Sequence, residues 1–405
     1  GILSIGGATP ATISAASFSN GAAALANVRY SEVGSARITA TASAFLDTPG
    51  VDVTGHSGLD GTGTGIASYV GRFRPNHFVL SAASLTNRQA LACASTFTYM
   101  DESLRLGFRL TAQNAQNVAT AKYNGDYARL ALGTFASFGA GARSGTTDLT
   151  ARIDGGLAPS GAWASGVADV TMDTGIRRAS PDNPDGPYPA TAFGIAPVDL
   201  DGTALNALNL DVDGNTVNDH ASIGTTDIRF GRLRMQNALG SERLPLPIPV
   251  EAQQWTGTGF ATNTDDGCTP IAANTVALAF NPFSAGVAPN LAACETAVSS
   301  GIVLAAGRGT LSLAAPGGDN SGPVRLTVNL GAASPNGNYC SGVGAAGLHV
   351  PAASAGMSYL LGRWSDAADP DSSASTMYDD RPSAIGAFGL YGSQPNNFIY
   401  FRENF

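Results

Sequence analysis

The chain has 405 residues, 43% of them hydrophobic and only 13% charged, with a formal net charge of −9. That much apolar surface excludes a disordered polymer. A single lysine, Lys122, and the acidic balance exclude the clustered cations that nucleic-acid binding draws on. No apolar run reaches the roughly 18 residues a membrane-spanning helix needs, so no membrane span is expected. Charged residues are at about half the usual share, and 50 glycines with small polar residues fill the gap, as on extracellular β-proteins. The sequence begins with Gly rather than Met and opens on no signal peptide, as expected of a processed or truncated product. Four cysteines, Cys93, Cys268, Cys294 and Cys340, lack metal-ligand spacing, and their even number favours two disulfides in an oxidising compartment.

Residues 1–75 run through short strand-like pieces such as Arg37–Ala42 and Gly50–Gly55, separated by glycine-rich punctuation at Gly61–Gly65. A small β-sandwich is the natural reading, since no strand and helix flank that run as a dinucleotide fingerprint requires. Residues 76–225 hold a clear half-buried strand in which Leu106, Phe108, Leu110 and Ala112 alternate with Gly107, Arg109 and Thr111. Further strands are expected at Ala128–Leu132, Leu149–Ile153 and Val167–Met172, a spacing that describes an immunoglobulin-like sandwich with Trp163 in its core.

Residues 226–405 contain the most distinctive stretch. Leu244, Leu246, Ile248, Val250 and Ala252 recur at period two, so an extended strand places them on one face. Pro245, Pro247 and Pro249 alternate with them and remove three N–H donors from one side of the backbone, as on a blunted sheet edge. Val324, Leu326, Val328 and Leu330 form a second alternating run, and the aromatic ending Asn397–Phe405 is expected to dock in a sheet. No long helical stripe appears. The fold class is therefore all-β, in tandem immunoglobulin-like or β-sandwich domains over 1–75, 76–225 and 226–405.

Candidate chemistry is thin. His77–Ser84 and Gly318–Pro323 echo chymotrypsin-like segments, but Ser84 stands where the catalytic His would be, leaving no base to activate a nucleophile. Gly55–Leu59 lacks the last glycine of a nucleophile elbow. His56, His77, His220 and His349 are scattered singly, unlike zinc ligands. Asp211, Asp213, Asn215 and Asp219 place oxygens at positions one, three, five and nine of a calcium-type loop, with Asp199 or Asp201 as candidate helpers. The loop departs from an EF-hand at Thr216 and Ser222, and an Asx-rich turn bonding its own backbone is the competing reading. Ca2+ is the one cofactor suggested. Asp366, Asp369, Asp371, Asp379 and Asp380 read as a solvated acidic loop rather than a glycosidase pair.

Several segments carry a resemblance. Phe97–Met100, Tyr123–Ala128, Ala196–Gly202, the proline-alternating strand, Asn263–Cys268, Leu291–Thr296, Gly362–Trp364 and Phe398–Phe405 occur in an order similar to that of the MshQ-like family of mannose-sensitive haemagglutinin (MSHA) pilus biogenesis proteins, in its C-terminal region of unknown function. Arg74 and Phe405 depart from the pattern, and the lectin-like region of some relatives is missing. With Cys268 and Cys294 26 positions apart in family-like motifs, the resemblance implies that they pair, leaving Cys93 with Cys340. It further implies an extracellular, type IV pilus-associated structural or adhesive protein, exported through the periplasm and non-catalytic, meeting pilus or cell-surface proteins or a glycan. A self-assembling filament or sheath subunit is the alternative, and a carbohydrate-active or proteolytic enzyme the remote one.

Overall fold

Alternating apolar residues become strands throughout the computed structural model, which describes all residues except 6–8, 10, 59–67, 283–288, 332–336, 345–346, 365–376 and 390–405. The expected docking of Asn397–Phe405, the Gly61–Gly65 run and the acidic residues Asp366, Asp369 and Asp371 lie outside the described residues. Among the described residues, helical structure is confined to short 3-10 turns. The protein is all-β and is built around two β-sandwiches.

In the first sandwich, one sheet runs Phe97–Tyr99, Ala221–Arg229, Tyr188–Ile195, Ala140–Ser144, Thr147–Asp148, and the other runs Ile153–Asp154, Val167–Ile176, Leu104–Gln113, His77–Thr86. Leu104, Leu106, Phe108, Leu110 and Ala112 face inward and pack with Val170, Met172, Phe193 and Ile195 from both sheets. On the outer face Arg105 and Arg109 each form a two-pronged pair with the residue opposite, Asp173 at 2.6 and 2.8 Å and Asp169 at 2.8 and 2.8 Å. The pairs fix register across the two strands.

Two expected strands take other forms. Ala128–Leu132 is irregular, because the Tyr123 hydroxyl accepts the N–H groups of Arg129 and Leu130 at 3.1 Å each and so replaces a ladder partner. Leu149–Ile153 folds as a Thr150–Arg152 turn leading into Ile153–Asp154. Trp163 sits half-buried at the rim of the core, its ring 4.8 Å from Tyr123 and its Nε1 donating to the Leu130 carbonyl at 3.2 Å.

The second sandwich pairs the sheet Gly231–Met235, Leu246–Trp255, Phe260–Thr262, with Arg308–Leu313 also on Leu246–Trp255, against the sheet Ala238–Gly240, Ser383–Phe388, Gly322–Val328, Val276–Phe280. Ile248, Val250, Leu311 and Leu313 meet Leu278, Val324, Leu326 and Phe388 across the interior.

The proline strand explains how these sheets are arranged. Leu246, Ile248, Val250 and Ala252 are buried, whereas Leu244 lies before the strand and is 65% exposed. Even-numbered residues turn their backbone toward Arg308–Leu313 and its approach, as the Ala252 N–H donating to Gly307 shows at 2.8 Å. Odd-numbered residues face Gly231–Met235, as the Trp255 N–H donating to Phe230 shows at 2.9 Å. Prolines at 247 and 249 leave that second side without donors, and the ladder with Gly231–Met235 stops at Met235↔Val250, one residue short of Pro249. The chain makes one more bond, Gln236 N–H to Pro249 O at 3.0 Å. It then crosses to the opposite sheet as Ala238–Gly240, parallel to Ser383–Phe388. The strand is thus blunted along half of one side only, and the blunting sends the chain between sheets.

Residues 1–75 do not form two packed sheets in the described part. They make two-stranded ladders, among them Leu3–Ile5 with Val28–Tyr30, Gly34–Ala36 with Val70–Phe73, and Thr39–Ala42 with Val53–His56. Val33 is their one buried hydrophobic residue among those described. Small, alternating Thr and Ala residues give strands without enough apolar area to close a core.

The cysteine pairing differs from expectation. The bridges are Cys93–Cys268 and Cys294–Cys340, with Cα atoms 6.3 and 5.4 Å apart. Cys268 ends a loop drawn onto the first sandwich, where Cys93 follows the Gln89–Leu91 turn, while Cys294 turns toward the strand Asn338–Cys340. Spacing along the chain carries no such geometric information.

Two outcomes follow. Non-reducing peptide mapping yields Cys93–Cys268 and Cys294–Cys340 peptides and neither alternative pairing. Leu326→Ala, fully buried where the sheets of the second sandwich meet, lowers stability by about 2–5 kcal/mol in urea denaturation with an unchanged slope.

Candidate functional site

Where the sandwiches meet, the strand Phe97–Tyr99 pairs in parallel with Asp227–Arg229 of the first, yet the side chains of Phe97 and Tyr99 belong to the core of the second. One strand therefore serves both sandwiches. Beside it lies Arg88, whose side chain is 0% exposed. A buried guanidinium is tolerated only when its charge and all its donors are met. Its Nε donates to both Glu102 oxygens at 3.0 and 3.1 Å, Nη1 donates to Asp266 Oδ1 at 2.8 Å, and Nη2 to Thr269 Oγ1 at 2.7 Å. The rings of Phe97 and Tyr99 lie 5.1 and 5.0 Å from it. Glu102 comes from the first sandwich and Asp266 from the second, so one cation clamps the two.

The network is closed on every side. The Tyr99 hydroxyl donates to Asp266 Oδ2 at 3.0 Å and accepts from Asn263 Nδ2 at 2.7 Å. Asn263 Oδ1 accepts from Arg229 at 2.6 Å, and Arg229 also pairs with Asp227 and Asp265. Thr269 donates to Asp266 through its hydroxyl at 2.6 Å and its N–H at 3.0 Å. Arg88 Nη1 lies 3.5 Å from Cys268 Sγ, so the Cys93–Cys268 bridge spans the same seam. A second arginine, Arg178, crosses nearby and donates to the carbonyls of Gly231, Tyr359 and Tyr378 at 2.9, 2.6 and 3.1 Å.

Proton affinities follow the geometry. Burial alone would lift the Asp266 carboxyl, but the Arg88 guanidinium and the Thr269 bonds outweigh it and hold Asp266 below the ordinary carboxylate value. Burial lifts Glu102 above its ordinary value against the opposing pull of Arg88 and the Tyr99 N–H. Burial would weaken Arg88 as a cation, yet Glu102 and Asp266 raise it above its ordinary value. Burial, with Asp266 beside it, raises Tyr99. These directions keep Asp266 and Arg88 charged and Tyr99 neutral at neutral pH, which suits a clamp.

The acidic loop proposed from sequence is assembled, but its oxygens are engaged. Ligand atoms of Asp211, Asp213 and Asp219 lie within 4.8 Å of one another. Asp211 accepts the N–H groups of Gly214 and Thr216 at 2.7 and 3.0 Å, Asp213 accepts those of Asn215, and Asn215 Oδ1 accepts Val217 N–H. Asp219 accepts Val212 N–H at 2.9 Å and faces His220 Nδ1 at 2.8 Å. Burial acts against ionisation, and these bonds outweigh it to hold Asp211 and Asp219 below the ordinary range. The Asx-turn reading thus describes the loop's own bonding. Asp199 and Asp201 are engaged elsewhere, Asp199 with the Tyr123 hydroxyl at 2.8 Å and Asp201 with Arg72 at 2.6 Å.

The protease-like segments place no base on their serines. Ser84 Oγ donates to the Gly107 carbonyl, Ser321 Oγ pairs with Asn290, and His77 bonds Asn76 and Gln113. A cleft of about 90 Å³ beside the seam is lined by Asp101, Glu102, Asp154, Leu157 and Asp173, but Arg178, Arg88, Arg177 and Arg105 already neutralise its carboxylates.

Arg88, Glu102 and Thr269 were not legible as a site. Tyr99 and Asp266 had a signal, because both fall in family-like segments, Phe97–Met100 and Asn263–Cys268, and the fold brings those segments together.

Residues 32–224 match the family model described as DUF6701, third domain, and residues 229–404 the one described as DUF6701, fourth domain. No curated protein matches the chain. Among solved structures, the chain is similar to FdeC, an Escherichia coli adhesin, at 13% identity and TM-score 0.27, covering 80% of this chain and 87% of that one. It is similar to the I9–I11 tandem of titin at 6% identity and TM-score 0.22, covering 77% and 66%. It is also similar to the Yersinia pseudotuberculosis adhesin InvE at 11% identity and TM-score 0.20, covering 62% and 55%.

Arg88→Ala strands two buried carboxylates and costs about 3–5 kcal/mol. Arg88→Lys recovers only part of this, since one ammonium cannot meet both acids and Thr269 in the same geometry. Asp266 binds its proton more weakly in the folded chain, so its contribution is complete above the unfolded carboxylate value of about 3.9 and is lost as pH falls through the lower folded value. In acid titrations of the urea midpoint, Asp266→Asn starts below the wild type at neutral pH and the gap narrows in acid. A constant gap contradicts the assignment.

Proposed function

The chain belongs to the DUF6701 family, whose third and fourth domains it carries in tandem, and on that premise we propose that it is a non-catalytic structural and adhesive module of an extracellular protein. It presents a binding surface at a pilus or cell exterior. The observation that carries this reading is the seam, a buried ion network and a disulfide fastening two sandwiches into one stiff body. A surface displayed at the end of such a body keeps its orientation, because the joint has no exposed linker to bend.

Other features support it. Two disulfides fit an oxidising compartment outside the cytoplasm. Low charge and abundant small residues suit a surface exposed to medium. Association with a type IV pilus of the MSHA kind is the finer reading, and its support is the ordered set of MshQ-like segments, two of which meet in the seam. Partners of the proposed class are pilus or cell-surface proteins, or a glycan. As a subsidiary proposal, the Asp211, Asp213, Asn215 and Asp219 turn takes Ca2+ on the oxygen lone pairs its backbone bonds leave open.

Immunogold labelling of intact cells tests the main reading. The expected result is label at the outer surface or on pili, with adherence falling on deletion of the gene and no free thiol on the secreted protein. Label found only after permeabilisation, or turnover of a peptide or glycan by the purified chain, contradicts it. For calcium, titration raises the melting temperature of the wild type by linkage and not that of Asp211→Asn/Asp213→Asn, whereas an unmoved wild-type transition removes the ion from the account.

A further inference from the structure

The second sandwich carries a polar row that neither the seam nor the acidic loop uses. Arg232, Gln253 and Thr262 lie directly opposite one another on three neighbouring strands, so their side chains rise from the same face of the sheet. Glu251, two residues before Gln253, points to that face as well. The alternation that buries Ile248, Val250 and Ala252 on the inner side therefore gathers an amide, a hydroxyl and a carboxylate on the outer one. Gln253 is nevertheless only 5% exposed, and the Glu251 side chain 15%.

The Glu251 carboxylate is shared between the other two groups. Its Oε1 accepts the Thr262 hydroxyl, and its Oε2 accepts Gln253 Nε2 at 2.9 Å. On the far side of the amide, Arg232 Nε donates to Gln253 Oε1 at 2.8 Å. Arginine can only donate and a carboxylate only accept, so these two neighbours fix which way the amide points. Arg232 is held in turn by the rings of Phe260 and Trp364, 3.7 and 4.7 Å from its guanidinium carbon. Arg308 Nη2 donates to Thr262 Oγ1 at 3.2 Å.

We propose that Thr262 and Gln253 join in an intramolecular ester, formed by the folded chain on itself. Glu251 Oε1 takes the Thr262 hydroxyl proton as Oγ1 attacks the Gln253 amide carbon. The carbonyl oxygen becomes an oxyanion against Arg232 Nε, which already donates to it. The C–N bond then breaks, and the proton passes from Glu251 to the departing nitrogen, which leaves as ammonia. Glu251 returns to its starting state, nothing is oxidised or reduced, and no co-reactant is consumed. Arg308, donating to Oγ1, favours the oxygen's developing negative charge. The register holds nucleophile and amide opposite each other, so the reaction is intramolecular and carries little entropic cost.

The bond has a consequence for the joint. Phe260–Thr262 is a strand of three residues, and it runs directly into the segment whose Asn263, Asp266 and Cys268 reach across the seam to Tyr99, Arg88 and Cys93. An ester at Thr262 ties that short strand to Leu246–Trp255, so tension on the seam passes into the sheet through a covalent bond instead of three rungs of hydrogen bonds. Burial of Gln253 keeps water from the product. The inference rests on five side chains, Arg232, Glu251, Gln253, Thr262 and Arg308, and is independent of the surface role proposed above.

Accurate mass measurement of the folded, oxidised chain tests it. The wild type weighs one ammonia less than its sequence with both disulfides formed. After denaturation and reduction, chymotryptic cleavage after Trp255 leaves the peptides holding Gln253 and Thr262 joined, and hydroxylamine separates them as an ester requires. Thr262→Val and Glu251→Gln keep the full mass of their sequences, and Thr262→Ser regains the loss, all with the circular dichroism of the wild type. A wild type of full mass, or a loss of ammonia mapped to other residues, overturns the proposal whatever the variants do. A cross-link that persists in Glu251→Gln overturns the role given to the carboxylate.

Discussion

A guanidinium sealed from water at the joint of two sandwiches sets the terms for the rest of this structure. Arg88 takes one carboxylate from each sandwich, Glu102 and Asp266, and is flanked by Phe97 and Tyr99 from the strand the two share. Pulling the sandwiches apart would leave a cation and two anions in a low-dielectric interior or expose the apolar faces around them, and both are costly. The Cys93–Cys268 bridge crosses at the same place. Position and orientation of everything on either sandwich are thereby fixed relative to the other.

Much of the fold was legible in the sequence because strand periodicity is a local property. Leu106 to Ala112 and Leu246 to Ala252 needed only their alternation to be placed on an inner face. The three prolines told which side of their strand could pair, and the ladder with Gly231–Met235 ends where they begin. What local pattern could not supply was where the other side would be used. Pairing continues past the prolines at Glu251 and Gln253, so the strand is interior over that half. Ala128–Leu132 failed for a comparable reason, since the hydroxyl of Tyr123 satisfies its backbone from outside any ladder.

The seam was largely hidden, and the reason is sequence distance. Arg88 and Asp266 are 178 positions apart, and neither is marked by spacing or composition. The Cys93–Cys268 bridge, 175 positions in span, was mispaired for the same cause. Two segments singled out by resemblance, Phe97–Met100 and Asn263–Cys268, do converge there, and their side chains join the two sandwiches. The acidic loop was found by its spacing, because Asp, Asn and Gly act on backbone within a few residues of themselves.

Cooperativity of unfolding reports whether the joint couples the two sandwiches. Scanning calorimetry of the oxidised chain should give one transition for the two sandwiches, with calorimetric and van't Hoff enthalpies in agreement, because neither can lose its core without exposing the buried ions of the other. Two resolved transitions, each with the enthalpy of a single sandwich, would contradict the account.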